Sequence, residues 1–267
     1  MKTFRLIIIL FSIFNYQITL SNWSVDFLII GAAKCGTTSL YNYLIQHPDI
    51  LPAAQKEVHY FDLNYERGLD WYKSHFLEKS PGKITGEASP FYLYHPLVPE
   101  RVFKLLPKTK LIVLLRDPVE RAISDYFYTY PGMSFEEALQ KEVEIIKQEL
   151  DKINNDQYYD IYSIIKYSYL TRGIYIDQIK RWREYFPKEQ MLFLIYDDLC
   201  NDPKGTVNKV FKFLGLPELT LKKYDIFNKT FKKEEIKPET KHNLYQFFAE
   251  HNKQLEEYLG IKLPWKN

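Results

Sequence analysis

The sequence predicts an α/β fold, in which a parallel sheet is flanked by helices within a single domain. Short apolar runs typical of buried strands occur at Phe27–Ile30, Lys110–Leu115 and Met191–Ile195. Helical patterns lie between these runs, as expected when parallel strands are joined by crossover helices. The length of 267 residues and the hydrophobic content of 46% suit one large domain with a substantial core.

The first predicted strand leads directly into a glycine-rich turn, Gly31-Ala-Ala-Lys34-Cys-Gly36, followed by a helix predicted from Thr38 to His47. Free backbone N–H groups and the positive end of a helix favour binding of an anion. The spacing is close to that of a Walker loop, but Thr37 occupies the position of the Walker lysine. We therefore predict a P-loop-like turn that holds a phosphate-like group without the usual magnesium–nucleotide chemistry. An ordinary βα turn is the alternative.

A second block, Lys56-Glu-Val-His-Tyr-Phe-Asp62, places a carboxylate close to an imidazole. In an extended conformation Glu57, His59 and Phe61 would share one face. Such a pair can accept and hold a proton during a transfer reaction. Taken alone, the block is better explained as a solvated surface loop, because charged clusters are usually exposed.

The second predicted strand ends immediately before Arg116, which places the guanidinium at the carboxyl edge of the sheet, where open α/β sheets bind ligands. Ser124 follows eight residues later, in the next predicted helix. A guanidinium and a hydroxyl there predict a second anion site, separate from the glycine-rich turn. The alternative is a structural ion pair between Arg116 and Asp117.

The later elements are predicted from capping and periodicity. Ser134-Phe-Glu-Glu137 is a capping box that opens a helix toward Lys152, and Pro187 ends a helix over 175–185. Another helix covers 202–214 and is closed by Gly215. The last helix, over 240–259, carries a stripe predicted to face the core: Leu244, Phe247, Phe248, His251, Leu255 and Leu259. Residues 154–169 receive no assignment.

Composition and the N-terminus bound the setting. The net charge of +2 gives no indication of nucleic-acid binding, and two cysteines, Cys35 and Cys200, do not form a disulfide framework. Residues 1–21 have a positive start and a short apolar core, which predicts a signal or membrane anchor with membrane association through residues 4–20. The alternative is an additional N-terminal helix. The predicted domain then covers 22–267.

Together these blocks resemble the sulfotransferase family that uses 3′-phosphoadenosine-5′-phosphosulfate (PAPS), especially the heparan-sulfate or glycosaminoglycan type of its carbohydrate branch. Residues 31–39 are similar to the family's 5′-phosphosulfate loop, and Arg116-Asp-Pro-x-x-Arg-x-x-Ser124 to its 3′-phosphate motif. The block over 56–62 matches the one that carries an acceptor-activating glutamate. Four further motifs follow in the expected order: Gly86-Glu-Ala-Ser-Pro-x-Tyr92, Pro99-Glu-Arg101, Gly173-x-Tyr175 and Trp182-x-x-x-Phe186-Pro187.

The resemblance implies in-line sulfuryl transfer from PAPS, without a metal, leaving adenosine 3′,5′-bisphosphate. It implies that Glu57 is the general base with His59 beside it, and that Lys34 neutralises charge on the leaving oxygen. The residues implied at the acceptor site are Lys56, Asp62 and Glu87. Those implied at the cofactor site are Lys34, Cys35, Gly36, Thr37, Thr38, Ser39, Arg116, Ser124, Lys229, Lys232 and Lys233.

The implied acceptor is a hydroxyl (or amine) of a glycosaminoglycan-like carbohydrate. A smaller glycan, a glycolipid or another hydroxylated compound is the alternative, because the chain lacks the late cysteine pair of heparan-sulfate members and has Leu97 where some carry a substrate-binding lysine. An ATP- or GTP-dependent P-loop kinase is a second interpretation, with carboxylates at Asp197 and Asp198 after an apolar strand. A non-catalytic nucleotide- or glycan-binding protein is a third. The N-terminal segment predicts a Golgi-lumenal or membrane-associated protein if it is a signal or anchor, and a cytoplasmic one otherwise.

Overall fold

The computed structural model describes residues 23–155, 157–225, 227 and 235–266. The predicted signal or anchor over 1–21 and the lysines Lys229, Lys232 and Lys233 lie outside these ranges. None of the helices in the described ranges combines the length and the apolar character that crossing a bilayer requires.

A parallel sheet forms the centre of the described domain, which confirms the predicted α/β class. Its strands are β1 (Phe27–Gly31), β2 (Ile50–Pro52), β3 (Ile84–Ala88), β4 (Lys110–Leu115) and β5 (Met191–Ile195). They are ordered β2-β3-β1-β4-β5, and each neighbouring pair is parallel. The chain therefore leaves β1 toward one edge of the sheet and leaves β4 toward the other, although β1 and β4 are neighbours. This reversal opens a crevice at their carboxyl ends, where parallel sheets bind ligands.

The burial of each strand explains which strands could be predicted from the sequence. All five residues of β1 are buried, and so are all residues of β4 after Lys110, so both strands read as continuous apolar runs. The sequence analysis missed β2 and β3. Strand β2 has only three residues, and β3 reads Ile-Thr-Gly-Glu-Ala, whose polar side chains are buried rather than alternating outward. The Thr85 hydroxyl can be buried because it has a hydrogen-bond partner: it donates to the carbonyl oxygen of Leu51, at 2.9 Å.

Helices cover both faces of the sheet, as predicted, and their ends follow local capping signals. Asp117 accepts from the backbone N–H groups of Val119 and Glu120, Ser134 and Glu137 form the predicted capping box, and Gly215 closes its helix in a left-handed conformation. The helices are α1 (Thr37–Leu44), α2 (Leu69–Lys73), α3 (Val98–Leu105), α4 (Pro118–Thr129), α5 (Phe135–Asn154), α6 (Ile161–Tyr167), α7 (Tyr175–Arg183), α8 (Tyr196–Asn201), α9 (Pro203–Leu214) and α10 (Pro238–Leu259). Short 3₁₀ turns occur at Tyr65–Arg67, Thr171–Gly173 and Lys188–Gln190.

The predicted core stripe of α10 was only partly correct. Leu244, Phe248 and Leu255 are buried, but the side that faces the core also includes Asn252, while Phe247 is 42% exposed. The stripe is thus narrower than the apolar residues suggested, because Phe247 packs edge-on against its neighbour Phe248 at the surface. The unassigned stretch 154–169 contains helix α6, whose Ile164 packs into a small separate core with Ile146 and Ile153 of α5.

Gly86 allows β3 to approach β1 closely, which brings the ends of both strands to the crevice. A Cβ atom at this position would lie 2.4 Å from the carbonyl oxygen of Phe27 and 2.6 Å from its ring. We expect Gly86→Ala to lower the free energy of unfolding by about 2–3 kcal/mol in urea denaturation, because backbone must move to relieve the overlap. Gly82→Ala is the comparison, since its left-handed φ of 81° costs about 1 kcal/mol but nothing lies within 4 Å of the added atom. Equal losses for the two variants would contradict this explanation.

Candidate active site

A cavity of about 580 Å³ lies at the carboxyl ends of β1 and β4. Its wall includes Lys34 and Gly36 from the turn after β1, Arg116 after β4, and Glu57 with His59 from the segment between β2 and α2. Its volume is in the range typical of small-molecule and cofactor sites. The groups that the sequence distributed over three separate blocks therefore face one space.

The glycine-rich turn has the shape of an anion cradle. Gly36 has φ 86° and serves as the N-cap of α1, and its lack of a side chain leaves no capping group between the helix N-terminus and the cavity. A Cβ atom on Gly36 would lie 3.1 Å from the ring of Tyr196, which closes the turn from the other side. Thr37, Thr38 and Ser39 also line the cavity.

Cys35 contributes differently from its neighbours. Its side chain is fully buried beneath the turn, with Sγ 3.7 Å from the hydroxyl of Tyr175, and burial raises the pKa of the thiol to about 11. The thiol therefore cannot touch a molecule in the cavity. The Cys35 N–H donates to the carbonyl of Ala32, at 3.2 Å, so the described role of Cys35 is to hold the turn from below.

Lys34 extends into the cavity from a left-handed backbone position, with φ 67°. Its ammonium group lies 3.6 Å from the centroid of the Tyr128 ring, a cation–π contact. Burial lowers the pKa of Lys34, and the charge of Asp125 opposes that effect. Tyr128 was not predicted as a site residue. Its position four residues after Ser124, one helical turn further along α4, was the only feature of the sequence that indicated it.

Arg116 and Ser124 form the second polar group of the cavity wall. The Arg116 Nη1 donates to the carbonyl oxygen of Lys34 at 3.1 Å, and the guanidinium lies 4.7 Å from the centroid of the Tyr196 ring. Asp117 is occupied as the cap of α4 through the N–H groups of Val119 and Glu120. The alternative of an Arg116–Asp117 structural pair is therefore wrong, and the guanidinium is oriented by the glycine-rich turn instead.

Glu57 and His59 meet, but not by the route the sequence suggested. The segment is not extended, because Glu57 has φ 63° and His59 has φ 53°. Two left-handed residues turn both side chains toward each other, and Glu57 Oε2 lies 3.4 Å from His59 Nε2. Each such residue costs on the order of 1–3 kcal/mol and persists only where the surroundings enforce it. Phe61 is buried in the core rather than sharing their face.

The charges of this pair are set by its neighbours. Burial alone would raise the pKa of Glu57, but hydrogen bonding to His59 and contact with Lys56 lower it to about 2. Burial would lower the pKa of His59, but hydrogen bonds to Asp62, at 2.9 Å, and to Glu57 raise it to about 10. At neutral pH the arrangement is an imidazolium between two carboxylates, with Glu57 ionised and half exposed to the cavity.

The three residues expected to contact the acceptor do not line the cavity among the described residues. Lys56 is tied to Glu57 from behind. The Asp62 side chain is fully buried and holds His59. Glu87 is also fully buried and accepts hydrogen bonds from Tyr72, Tyr92, Ser89 and the backbone of Val58. Neither the Asp62 nor the Glu87 carboxylate faces the cavity, so direct contact of either with an acceptor would require the core to unpack.

The sequence analysis also missed a buried ion cluster beneath the cavity. Asp125 of α4 pairs with Arg121, at 3.0 Å, and with Arg172, at 3.3 Å, and Asp125 and Arg172 reach the cavity wall. Glu142 of α5 accepts the backbone N–H groups of residues 169–171 and so fixes the segment that presents Arg172. Only the i, i+4 spacing of Arg121 and Asp125 pointed to this cluster.

Asp197 and Asp198 do not support a kinase-like metal strand. Both carboxylates are exposed in the first turn of α8, and β5, the strand that precedes them, lies at the sheet edge. Neither carboxylate is among the described residues that line the cavity, although Tyr196 and Leu199 on either side of them are.

Comparison with known proteins gives consistent matches. A family model described as a sulfotransferase domain matches residues 24–260. Heparan sulfate glucosamine 3-O-sulfotransferase 6 of Homo sapiens is 37% identical over 206 residues, which cover 76% of this chain and 56% of that protein. The membrane-associated sulfotransferase kil1 of Dictyostelium discoideum is 26% identical over a gapped alignment of 314 positions, which covers 91% of this chain and 66% of that protein. The chain thus spans between 56% and 66% of the length of these two relatives.

Solved structures agree with this match. The crystal structure of a sulfotransferase from Alicyclobacillus acidocaldarius has a TM-score of 0.74 and 30% identity, covering 90% of this chain and 98% of that one. Mouse sulfotransferase SULT7A1, crystallised in complex with PAP, has a TM-score of 0.52 and 16% identity, covering 91% of each chain. The second likeness shows a shared fold.

The raised pKa of His59 predicts a pH-dependent contribution to stability. Because the folded pKa lies above the usual value near 6.5, the stabilisation is complete at lower pH and is lost as the pH rises through about 10. We expect the free energy of unfolding to fall over this window by on the order of 2 kcal/mol more in the wild type than in His59→Gln, measured by urea denaturation. His242→Gln, at the surface of α10, should keep the wild-type dependence. Parallel curves for wild type and His59→Gln would contradict the ion-pair assignment.

Proposed function

Because the chain belongs to the sulfotransferase family, we propose that it transfers a sulfuryl group from PAPS to a hydroxyl (or amine) of a glycosaminoglycan-like carbohydrate. One observation carries this proposal. Lys34 and Arg116 are joined by a 3.1 Å hydrogen bond and face the same cavity as the ionised Glu57. Two anion-binding groups and a base thus converge on one space, as a doubly phosphorylated donor and an acceptor require.

The residues of the cavity fit a nucleotide that carries anions at both its 5′ and 3′ positions. Gly36 leaves no side chain in the turn, and the N-terminus of α1 offers N–H groups to the 5′-phosphate. Arg116 and Ser124 offer a guanidinium and a hydroxyl to the 3′-phosphate. When bound, PAPS supplies the activated sulfuryl group. Lys229, Lys232 and Lys233 remain proposed as further cofactor contacts.

The remaining roles follow from charge. Lys34 supplies a cation beside the turn, where charge develops on the leaving phosphate oxygen. Glu57 is ionised at neutral pH and faces the cavity, so it is the group that takes the proton from the acceptor. His59 is protonated and therefore cannot be the base. It holds the Glu57 carboxylate in place and stabilises its charge.

The carbohydrate acceptor is proposed from the relatives named as heparan sulfate glucosamine 3-O-sulfotransferases. The cavity wall also contains Phe91 and Ile165, and one of its described cations, Arg172, is paired with Asp125. A smaller glycan, a glycolipid or another hydroxylated compound should therefore be compared as acceptor with a long polyanionic glycan. If residues 1–21 act as a signal or anchor, the protein works in a compartment supplied with PAPS, such as the Golgi lumen.

Recognition of the 3′-phosphate can be tested without turnover. In Arg116→Gln we expect the affinity for adenosine 3′,5′-bisphosphate to fall by about ten- to a hundredfold in calorimetry, because a charge-assisted contact is lost. Adenosine 5′-phosphate, which lacks the 3′ group, is the matched control and should lose much less. The same loss for both ligands would mean that Arg116 acts only by holding the glycine-rich turn.

The role of Glu57 can be tested by an isosteric change. We expect Glu57→Gln to lower kcat by about 10²- to 10⁴-fold in a radiolabelled PAPS assay against a glycan panel, because the amide cannot take a proton. Affinity for adenosine 3′,5′-bisphosphate should stay within about twofold, since Glu57 is not among the residues proposed to hold the nucleotide. Glu78→Gln, at an exposed carboxylate, is the control. Full activity in Glu57→Gln would remove Glu57 from the role of base.

A further inference from the structure

The backbone N–H groups of the segment that carries Glu57 and His59 all donate to one stretch of chain, residues 87–92. Five consecutive backbone N–H groups, from Glu57 to Phe61, donate into this stretch. Glu57 N donates to the carbonyl of Ala88, at 3.1 Å, and the other four donate to side chains. This arrangement leaves little freedom for the two left-handed residues within the segment.

The side-chain acceptors converge on a single buried carboxylate. Val58 N donates directly to Glu87 Oε2, at 3.2 Å, and His59 N donates to Ser89 Oγ, at 3.0 Å. The Ser89 hydroxyl then donates to the same Oε2, at 2.6 Å. Tyr60 N and Phe61 N reach the hydroxyl of Tyr92, which donates to Glu87 Oε1, at 2.9 Å.

We infer that Glu87 is a positioning residue, which sets the geometry of Glu57 and His59 through Ser89, Tyr92 and the backbone of the turn. This inference rests on the proposed function. Glu87 touches neither cofactor nor acceptor, because its side chain is fully buried. At the end of β3 its carboxylate accepts hydrogen bonds from the hydroxyls of Ser89 and Tyr92. These bonds orient the two hydroxyl oxygens that accept the N–H groups of residues 59–61. The strain at Glu57 and His59 is thereby opposed by hydrogen bonds to a rigid strand end rather than to a loop.

The chain contains a matched pair of tyrosines that separates positioning from stability. Tyr72 and Tyr92 are both fully buried, and both donate to Glu87 Oε1, at 3.0 Å and 2.9 Å. Only the Tyr92 hydroxyl also accepts backbone N–H groups of the segment that carries Glu57 and His59, namely those of Tyr60 and Phe61. Changing either residue to phenylalanine removes one hydroxyl from the same carboxylate, but only Tyr92→Phe also removes the acceptor of the Tyr60 and Phe61 N–H groups.

The experiment compares Tyr92→Phe with Tyr72→Phe in the whole chain. We expect both variants to lower the melting temperature by several degrees. Tyr92→Phe should also lower kcat by about tenfold or more, with the KM for PAPS and the affinity for adenosine 3′,5′-bisphosphate within about twofold of wild type. Tyr72→Phe should keep kcat within about twofold of wild type. In NMR spectra the imidazole resonances of His59 should move in Tyr92→Phe and stay in Tyr72→Phe.

Equal changes in kcat and in the His59 resonances for the two variants would overturn the inference. If Tyr92→Phe does not fold, Ser89→Ala replaces it, because it removes only the acceptor of His59 N and its link to Glu87. An unchanged kcat in Ser89→Ala would also overturn the inference. Absence of sulfuryl transfer by the wild type would instead contradict the proposed function, and the His59 resonances would still test the positioning.

Discussion

The hydrogen bond from Arg116 to the carbonyl of Lys34 joins the two loops around which the cavity is arranged. It is possible because β1 and β4 are adjacent and parallel, so their following loops leave the sheet at the same edge. The bond has two effects. It fixes the guanidinium beside the N-terminus of α1. It also holds the backbone of Lys34, through its carbonyl oxygen, in the left-handed conformation from which the Lys34 side chain extends. Without this link the two anion-binding groups would be independent.

Charge in the cavity is balanced locally rather than overall. Lys34 and Arg116 provide positive charge at the side where phosphate groups are proposed to bind. Elsewhere in the wall the imidazolium of His59 lies between Glu57 and Asp62, so Glu57 stays ionised without repelling an anion as strongly as a lone carboxylate would. Below the wall, Asp125 pairs with Arg121 and Arg172. Buried pairs of this kind contribute less to stability than to a defined arrangement of the groups they join. Here they join α4 to the segment before α7.

A second group of buried polar side chains surrounds Glu87 and supports the segment that carries Glu57 and His59. Its partners come from α2, from the turn after β3 and from the segment over 58–61. Because a carboxylate has several acceptor positions, one side chain can satisfy all of these donors in the core. The polar strand β3, which reads poorly as a strand, is therefore the element that supports the strained turn. The same feature explains why its sequence differs from the apolar pattern of β1 and β4.

The sequence by itself determined the α/β class, strands β1, β4 and β5 and the approximate bounds of five helices, and it predicted two anion-binding blocks whose residues the structure brings to one cavity. These features are written in short stretches: an apolar run, a capping residue, or a glycine before a helix. Only the tertiary structure decided that Glu57 and His59 meet through two left-handed residues, that Asp62 and Glu87 are buried supports, and that Tyr128 covers Lys34. The physical reason is that these outcomes depend on partners far away in the chain. The contacts from residues 58–61 to 87–92 span about thirty residues of sequence, and the pKa values of the pair follow from burial and hydrogen bonds that exist only once the sheet has formed.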